Sequence, residues 1–242
     1  MLFYRTFSKV YETAAKKMCR ECQNFVKKGS KILDLGCGCG IVGETFKKFF
    51  QAEVLGIDVK DYRILPLPFQ LYDGFHVPFP DGSFDVVLIN YVLHHSEDPT
   101  LLLKEAKRVV RDKIIIYEDL LDGFLSGLIC KLHGASFAKF IGDSNKISFK
   151  NQASKGSEGE DEGKLRGRKT SSPPELPKEA KRRDKSLLYP SLQLEQVKMR
   201  TKFSFASEKD WEKIFKDLGL DVIFKKRVNN FPVKKELFIC RA

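Results

Sequence analysis

Glycine at every second position, directly after a short apolar run, is the feature that most constrains this chain. In Lys31-Ile-Leu-Asp-Leu-Gly-Cys-Gly-Cys-Gly40, the residues Ile32, Leu33 and Leu35 read as a buried parallel strand. Gly36, Gly38 and Gly40 then let the backbone turn sharply and approach a ligand more closely than any Cβ would permit. Val42, Phe46, Phe49 and Phe50 follow at helical spacing. Strand, glycine turn and helix in this order make the nucleotide-binding corner of a doubly wound sheet. The spacing also selects the ligand. A dinucleotide fold wants G-x-G-x-x-G, whose third glycine falls where this chain has Ile41.

The pattern present, D-x-G-x-G-x-G, resembles the first motif of the class I S-adenosylmethionine (SAM) methyltransferases. Glu53-Val-Leu-Gly-Ile-Asp58 reads as a second strand ending in an acid, about twenty residues beyond the glycines, the interval of a ribose-binding carboxylate. The long run from Leu71-Tyr-Asp-Gly74 through Phe84-Asp-Val-Val-Leu-Ile-Asn90 to His94-His95 is similar to the small-molecule branch called methyltransferase type 11. The resemblance spans residues 25–120 and resumes near residue 203.

It implies an α/β fold: a doubly wound, mostly parallel seven-stranded sheet with an antiparallel C-terminal hairpin and helices on both faces. It also implies SAM as cofactor. Asp34 is then expected to orient the glycine loop and meet the methionine amino group, while Gly36, Gly38 and Gly40 admit close backbone approach. Asp58 is expected on the ribose and Asp73 on the adenine amino group with Gly74 beside it. The backbone near Asn90, at the end of the fourth strand, is expected to line the methionine portion.

Composition narrows the partners. At 242 residues the chain can bury one good core and carry an appendage. A net charge of +11 suggests nucleic acid, yet the basic residues are spread over nearly every segment without aromatic interleaving. Asn90-Tyr-Val-Leu93 also lacks the Asp/Asn-Pro-Pro-aromatic loop of amino-methylating relatives, and no Pro-Cys pair supplies a nucleophile for carbon-five chemistry. No specific nucleic acid is therefore expected. Six scattered cysteines point to a reducing, cytoplasmic setting. Cys19-x-x-Cys22 and Cys37-x-Cys39 invite a zinc reading, but the latter pair fills the variable positions of the glycine motif, and no metal is expected. No apolar run is long enough to span a bilayer and no signal peptide is recognised.

Four regions follow. Residues 1–30 form N-terminal helices over the site, with Phe7, Val10, Ala14, Met18, Cys22 and Phe25 as their expected apolar face. Residues 31–150 form the SAM-binding core. Within it Asp98-Pro99 starts a helix whose buried face is Leu102, Ala106, Val109 and Val110, and Lys113-Ile-Ile-Ile-Tyr-Glu118 is the fifth strand. Phe124 to Ile141 is expected as a sheet-covering helix leading to a lid, with weak membrane-surface contact as the other reading. Residues 151–201 read as a disordered polar insertion, because no Phe, Tyr or Trp occurs from Asn151 through Leu188. Residues 202–242 complete the core: a capping box at Ser207-Glu-Lys-Asp210, a helix with Trp211, Ile214, Phe215 and Leu218 on one face, and strands at Leu220–Phe224 and Glu236–Cys240.

The function expected is methyl transfer to a small-molecule or lipid-like acceptor by in-line displacement at the sulfonium methyl. A base is needed only where the acceptor must lose a proton early. His94, His95, Tyr91, Glu118 and Asp119 lie near the strand ends, and His95 is the expected catalytic base, since a neutral imidazole takes a proton near neutral pH. The competing readings are a SAM-binding regulatory protein without turnover and a nicotinamide-dependent oxidoreductase, which Ile41 argues against.

Overall fold

A computed structural model of the chain describes residues 2–121, 205–229 and 233–242. The helix expected over Phe124–Ile141 and the insertion expected at 151–201 lie outside the described residues. In chain order the elements are α1 (Leu2–Thr6), α2 (Ser8–Cys22), β1 (Lys31–Leu35), α3 (Ile41–Phe50), β2 (Glu53–Asp58), β3 (Phe69–Leu71) and β4 (Phe84–Asn90). A single 3-10 turn (Leu93–His95) follows, then α4 (Pro99–Val109), β5 (Val110–Leu120), α5 (Glu208–Asp217), β6 (Asp221–Asn229) and β7 (Lys234–Arg241).

The seven strands make one sheet in the order β3-β2-β1-β4-β5-β7-β6. The first five run parallel, and β7 is antiparallel to both β5 and β6. Parallel strands covered on both faces need side chains that are apolar on both faces, which is why Val86 to Ile89 reads as a continuous run and Ile32, Leu33 and Leu35 are interrupted only by Asp34. Successive residues still serve different layers. Leu33, Leu35, Val87, Ile89, Ile114 and Ile116 pack under α4 and α5 with Leu102, Leu103, Ala106, Trp211 and Phe215. Ile32, Val86, Leu88, Ile115 and Tyr117 pack under α2 and α3 with Met18, Cys22, Phe46 and Phe50. Burial of each such large side chain contributes about 1.5–3 kcal/mol before entropy is counted.

The helix ends follow their sequence signals. Asp98 caps α4 by accepting the Leu101 N–H at 2.9 Å, with Pro99 as first helical residue. Ser207 and Asp210 form the reciprocal capping box of α5. Two details differ from expectation. Val110 is the C-cap of α4, its N–H donating to the Ala106 carbonyl, and not part of the helix's buried face, because it turns to extended backbone there and pairs with Phe84 of β4 as the first residue of β5. Along α2 the buried positions are Ala15, Met18, Cys19 and Cys22, so of the expected face Val10 and Ala14 are exposed, as is Phe7 just before the helix. The third strand that a seven-stranded sheet requires falls at Phe69–Leu71, a position the sequence left open because three residues are too few for an apolar period to show.

The five described cysteines are free and buried. Burial pushes the thiols of Cys19, Cys22 and Cys240 up to about 12, so they behave as small apolar groups. Among the described residues no helix is long and apolar enough to cross a membrane.

Candidate functional site

The chain leaves β3 at one sheet edge and crosses back to β4 on the other side of β1, so strand order reverses between β1 and β4. The crevice beyond the carboxyl ends of these two strands is where open α/β sheets bind ligands. Asp34, Asp58 and Asn90 all come to this end, together with the glycine turn.

The turn is built for close approach. Gly36, Gly38 and Gly40 all adopt positive φ, at 77°, 49° and 77°. Their surroundings differ. A Cβ on Gly36 would meet the Val92 γ-carbons at 2.5 and 2.8 Å, so this glycine is a packing contact with the turn after β4. A Cβ on Gly38 would meet nothing within 4 Å, which leaves the middle of the loop facing open space. Gly40 then caps α3, whose first amides point into the same crevice.

Asp34 lies beneath this loop, 1 % exposed, and its Oδ2 is buried without a hydrogen-bond partner. Burial pushes the carboxyl up to about 7; the neighbouring Asp58 adds to the rise and the Gly43 backbone N–H opposes it. Gly43 has its own reason. A Cβ there would lie 2.6 Å from Asp34 Oδ2, so helix α3 sits directly on the acid only because the residue is glycine. Gly43 thus serves close helix–strand packing.

Asp58 ends β2 and turns back onto the loop. Its Oδ2 accepts the Gly38 N–H at 2.9 Å and its Oδ1 accepts the Val59 N–H at 2.8 Å. Burial raises its pKa, and those two amides work against the rise. Asp73 behaves oppositely. Burial alone would raise it, but the N–H groups of His76 and Phe75, at 2.7 and 2.8 Å from Oδ1, outweigh that and hold it below the usual carboxylate range. Gly74 follows at φ 87°, packed against Val59. The Asp73 loop is tied down from α4. Arg108 donates to the Val77 and Phe79 carbonyls at 2.8 Å, and Glu105 accepts the Val77 N–H at 2.9 Å. No sequence motif announces that brace.

At the end of β4, Asn90 Oδ1 is a second buried oxygen without a partner. Tyr91 follows with φ 57°, a left-handed conformation unusual for a large side chain. Its ring lies 4.2 Å from the Lys235 ammonium, and that ammonium is paired with Asp119 at 2.6 Å. His94 is 1 % exposed, with Nδ1 against Glu118, itself fully buried. His95 is half-buried, its ring 4.0 Å from that of His94. The structure therefore brings together Asp34, Gly36, Gly38, Gly40, Asp58 and Asn90 around one crevice. It places the carboxylate-bound imidazole one residue earlier than the expected base. From the N-terminal side, Tyr4 of α1 comes within electrostatic reach of Asp58, and burial pushes its phenol up to about 12. Among the described residues no group of three or more His, Cys, Asp or Glu is arranged to hold a metal.

Comparison with known proteins matches residues 33–117 to the type 11 methyltransferase domain family. An uncharacterised methyltransferase of Schizosaccharomyces pombe is 32% identical over 127 residues, covering 43% of this chain and 46% of its own. A sterol 24-C-methyltransferase of Aspergillus fumigatus is 33% identical over 99 residues, covering 36% of this chain and 26% of its own. The chain thus spans less than half the length of these curated relatives. A solved protein of Pyrococcus horikoshii aligns over 100% of this chain and 98% of its own, with a TM-score of 0.58 at 18% identity, a likeness of fold.

Proposed function

We propose that the chain is a class I, type 11 S-adenosylmethionine-dependent methyltransferase acting on a small-molecule or lipid-like acceptor. Its residues 33–117 are a methyltransferase domain of that type. The observation that carries the reading is electrostatic. Two buried acceptor oxygens, Asp34 Oδ2 and Asn90 Oδ1, stand without partners at the reversal point of the sheet. Two carboxyls there, Asp34 and Asp58, are raised by burial, so the crevice favours a cationic ligand with several N–H and O–H donors. SAM supplies, when bound, an α-ammonium, two ribose hydroxyls and a sulfonium whose methyl passes in line to a nucleophile.

This chain's residues divide the remaining work. Asp34 answers the ammonium charge. Asp58 has acceptor capacity for both ribose hydroxyls. The open face of Gly38 leaves room for the ligand, and Asp73, whose Oδ1 is held by two amides and whose Oδ2 meets His76 Nδ1 at 3.2 Å, keeps lone-pair capacity on Oδ2 for a further donor such as an amino group. Because the sulfonium already carries the reactive methyl, holding the acceptor in line and excluding water supply much of the acceleration. His95 takes a proton where the acceptor must lose one. The sterol methyltransferase among the relatives acts on a lipid, which supports extending the acceptor class to lipid-like molecules.

The test uses the full chain. SAM and its demethylated product should raise the melting temperature, as ligands of the folded state must, and NADH and ATP should not. Incubation with methyl-labelled SAM and a metabolite and lipid extract should then yield labelled product. Binding without product would favour a regulatory protein, and stabilisation by NADH alone would overturn the reading.

A further inference from the structure

Glu118 is a fully buried carboxylate near the end of β5, and most of what it holds belongs to another element. Its Oε2 accepts the Leu93 N–H at 3.0 Å. Its Oε1 accepts the Asp119 N–H at 2.9 Å and also meets His94 Nδ1. Two of these three partners lie in the turn after β4. That turn does not follow local preference, since Tyr91 enters it at φ 57° while its amide donates to the Tyr117 carbonyl at 2.8 Å. The His94 ring stacks in turn on Phe205, with centroids 4.6 Å apart. Across the sheet Glu118 pairs with Glu236, whose own carboxylate is matched to Arg227. His94 is therefore the basic side chain that faces Glu118 directly.

The other side of the same turn touches the glycine loop. Val92 precedes the clamped Leu93, and its γ-carbons occupy the space that a Cβ on Gly36 would need. A continuous line of contact thus runs from Glu118 through Leu93 and Val92 to Gly36.

We propose that Glu118 is a positioning residue for the cofactor loop: it clamps Leu93 and His94 so that Val92 seats Gly36 and sets the methionine end of the site. The proposal rests on the methyltransferase reading above. A buried acid serving only to complete the fold would stabilise every element around it, whereas this one is aimed at one turn and, through it, one loop.

The variants Glu118→Gln, Val92→Ala and their combination test it in the full chain. Gln keeps the shape but replaces one acceptor oxygen with a donor, so either Leu93 or the Oε1 partners lose their acceptor. Binding of the demethylated cofactor is measured by calorimetry well below each melting temperature. Backbone hydrogen exchange is followed in peptides covering 33–45 and 234–241. Glu118→Gln should weaken binding by about tenfold and Val92→Ala by several-fold, with the double variant falling well short of the product of the two, as coupled neighbours do. Exchange should quicken over 33–45 and stay unchanged over 234–241.

A folded Glu118→Gln protein with wild-type affinity would overturn the proposal. So would fully multiplicative losses, or exchange that quickens equally in both peptides. Should Glu118→Gln fail to fold, Val92→Ala decides: unchanged affinity and unchanged exchange over 33–45 sink the idea, and a local effect on both upholds it. Wild-type protein that binds neither SAM nor its product removes the methyltransferase reading itself and this proposal with it.

Discussion

Asp34 is a carboxyl that the folded chain surrounds without giving it a cation. Burial, with Asp58 beside it, lifts its pKa from 3.8 to about 7, so between these values the folded chain holds a proton that the unfolded chain has released. Stability of the ligand-free protein must then fall as pH rises through that window, by up to about 4 kcal/mol at roughly 1.4 kcal/mol per unit. Asp58 is shifted in the same direction and adds to the slope. Thermal melts of ligand-free protein should therefore give a lower melting temperature at pH 7.5 than at pH 5, and Asp34→Asn should flatten the difference; an unchanged slope would remove Asp34 as its source. SAM binding should strengthen over the same range, because the ammonium needs the ionised acid. Asp58→Ala should weaken SAM binding by about 1.5–3 kcal/mol, the range for hydrogen bonds to a charged group, without loss of fold, since Asp58 is only half-buried. Normal affinity by calorimetry would take Asp58 off the ribose. His95→Ala should bind SAM normally yet lose turnover by roughly 10²–10⁴-fold, as for a missing general base. Full activity would leave proximity as the main source of rate.

Elements show how local signals and packing share the work. Helix α5 is specified twice, by its capping box and by the face carrying Trp211 and Phe215, and both are realised. Ser207→Ala should cost about 1 kcal/mol, the usual value for a lost N-cap, lowering the melting temperature with no change in SAM affinity, because the cap's hydrogen bonds join Ser207 and Asp210 to each other. A change in affinity would mean that α5 is coupled to the site. Helix α2 teaches the opposite lesson. Its apolar residues fit more than one stripe, and contact with α3 and β5 selects Ala15, Met18, Cys19 and Cys22. Tyr117 of β5 then donates to the Met18 carbonyl at 3.3 Å, tying the helix to the sheet.

For the whole molecule, the chain leaves the described sheet after β5 and returns beside the point of departure. The Leu121 N–H donates to the Ala206 carbonyl at 3.0 Å, and Leu120 bridges Ala206 in parallel, so the two ends of the intervening stretch meet. Closing a longer loop costs little, about 0.6 kcal/mol per doubling. Deleting residues 151–201 should therefore leave a cooperative melt and SAM binding close to the full chain. An unfolded product, or lost binding, would make that stretch part of the protein's working structure.

The local half of this protein could be read directly from its residues. A run of apolar side chains, glycines that alone tolerate positive φ, an aspartate before a proline and a serine three residues before an acid each act on their near neighbours, so their meaning survives without the fold. That is why β1, the turn, α3, the α4 cap and the α5 box were legible, along with the acids at the ends of β1 and β2. Tertiary structure alone decided which histidine meets Glu118, why Gly43 must lack a side chain, that Val92 rests on Gly36, and where the three-residue β3 lies. In each case the deciding partner lies on another element, as Glu118 of β5 does for His94, 24 residues away. Separations of that kind carry no periodicity, and only the register of packed strands brings such groups within a hydrogen bond or a van der Waals radius of one another.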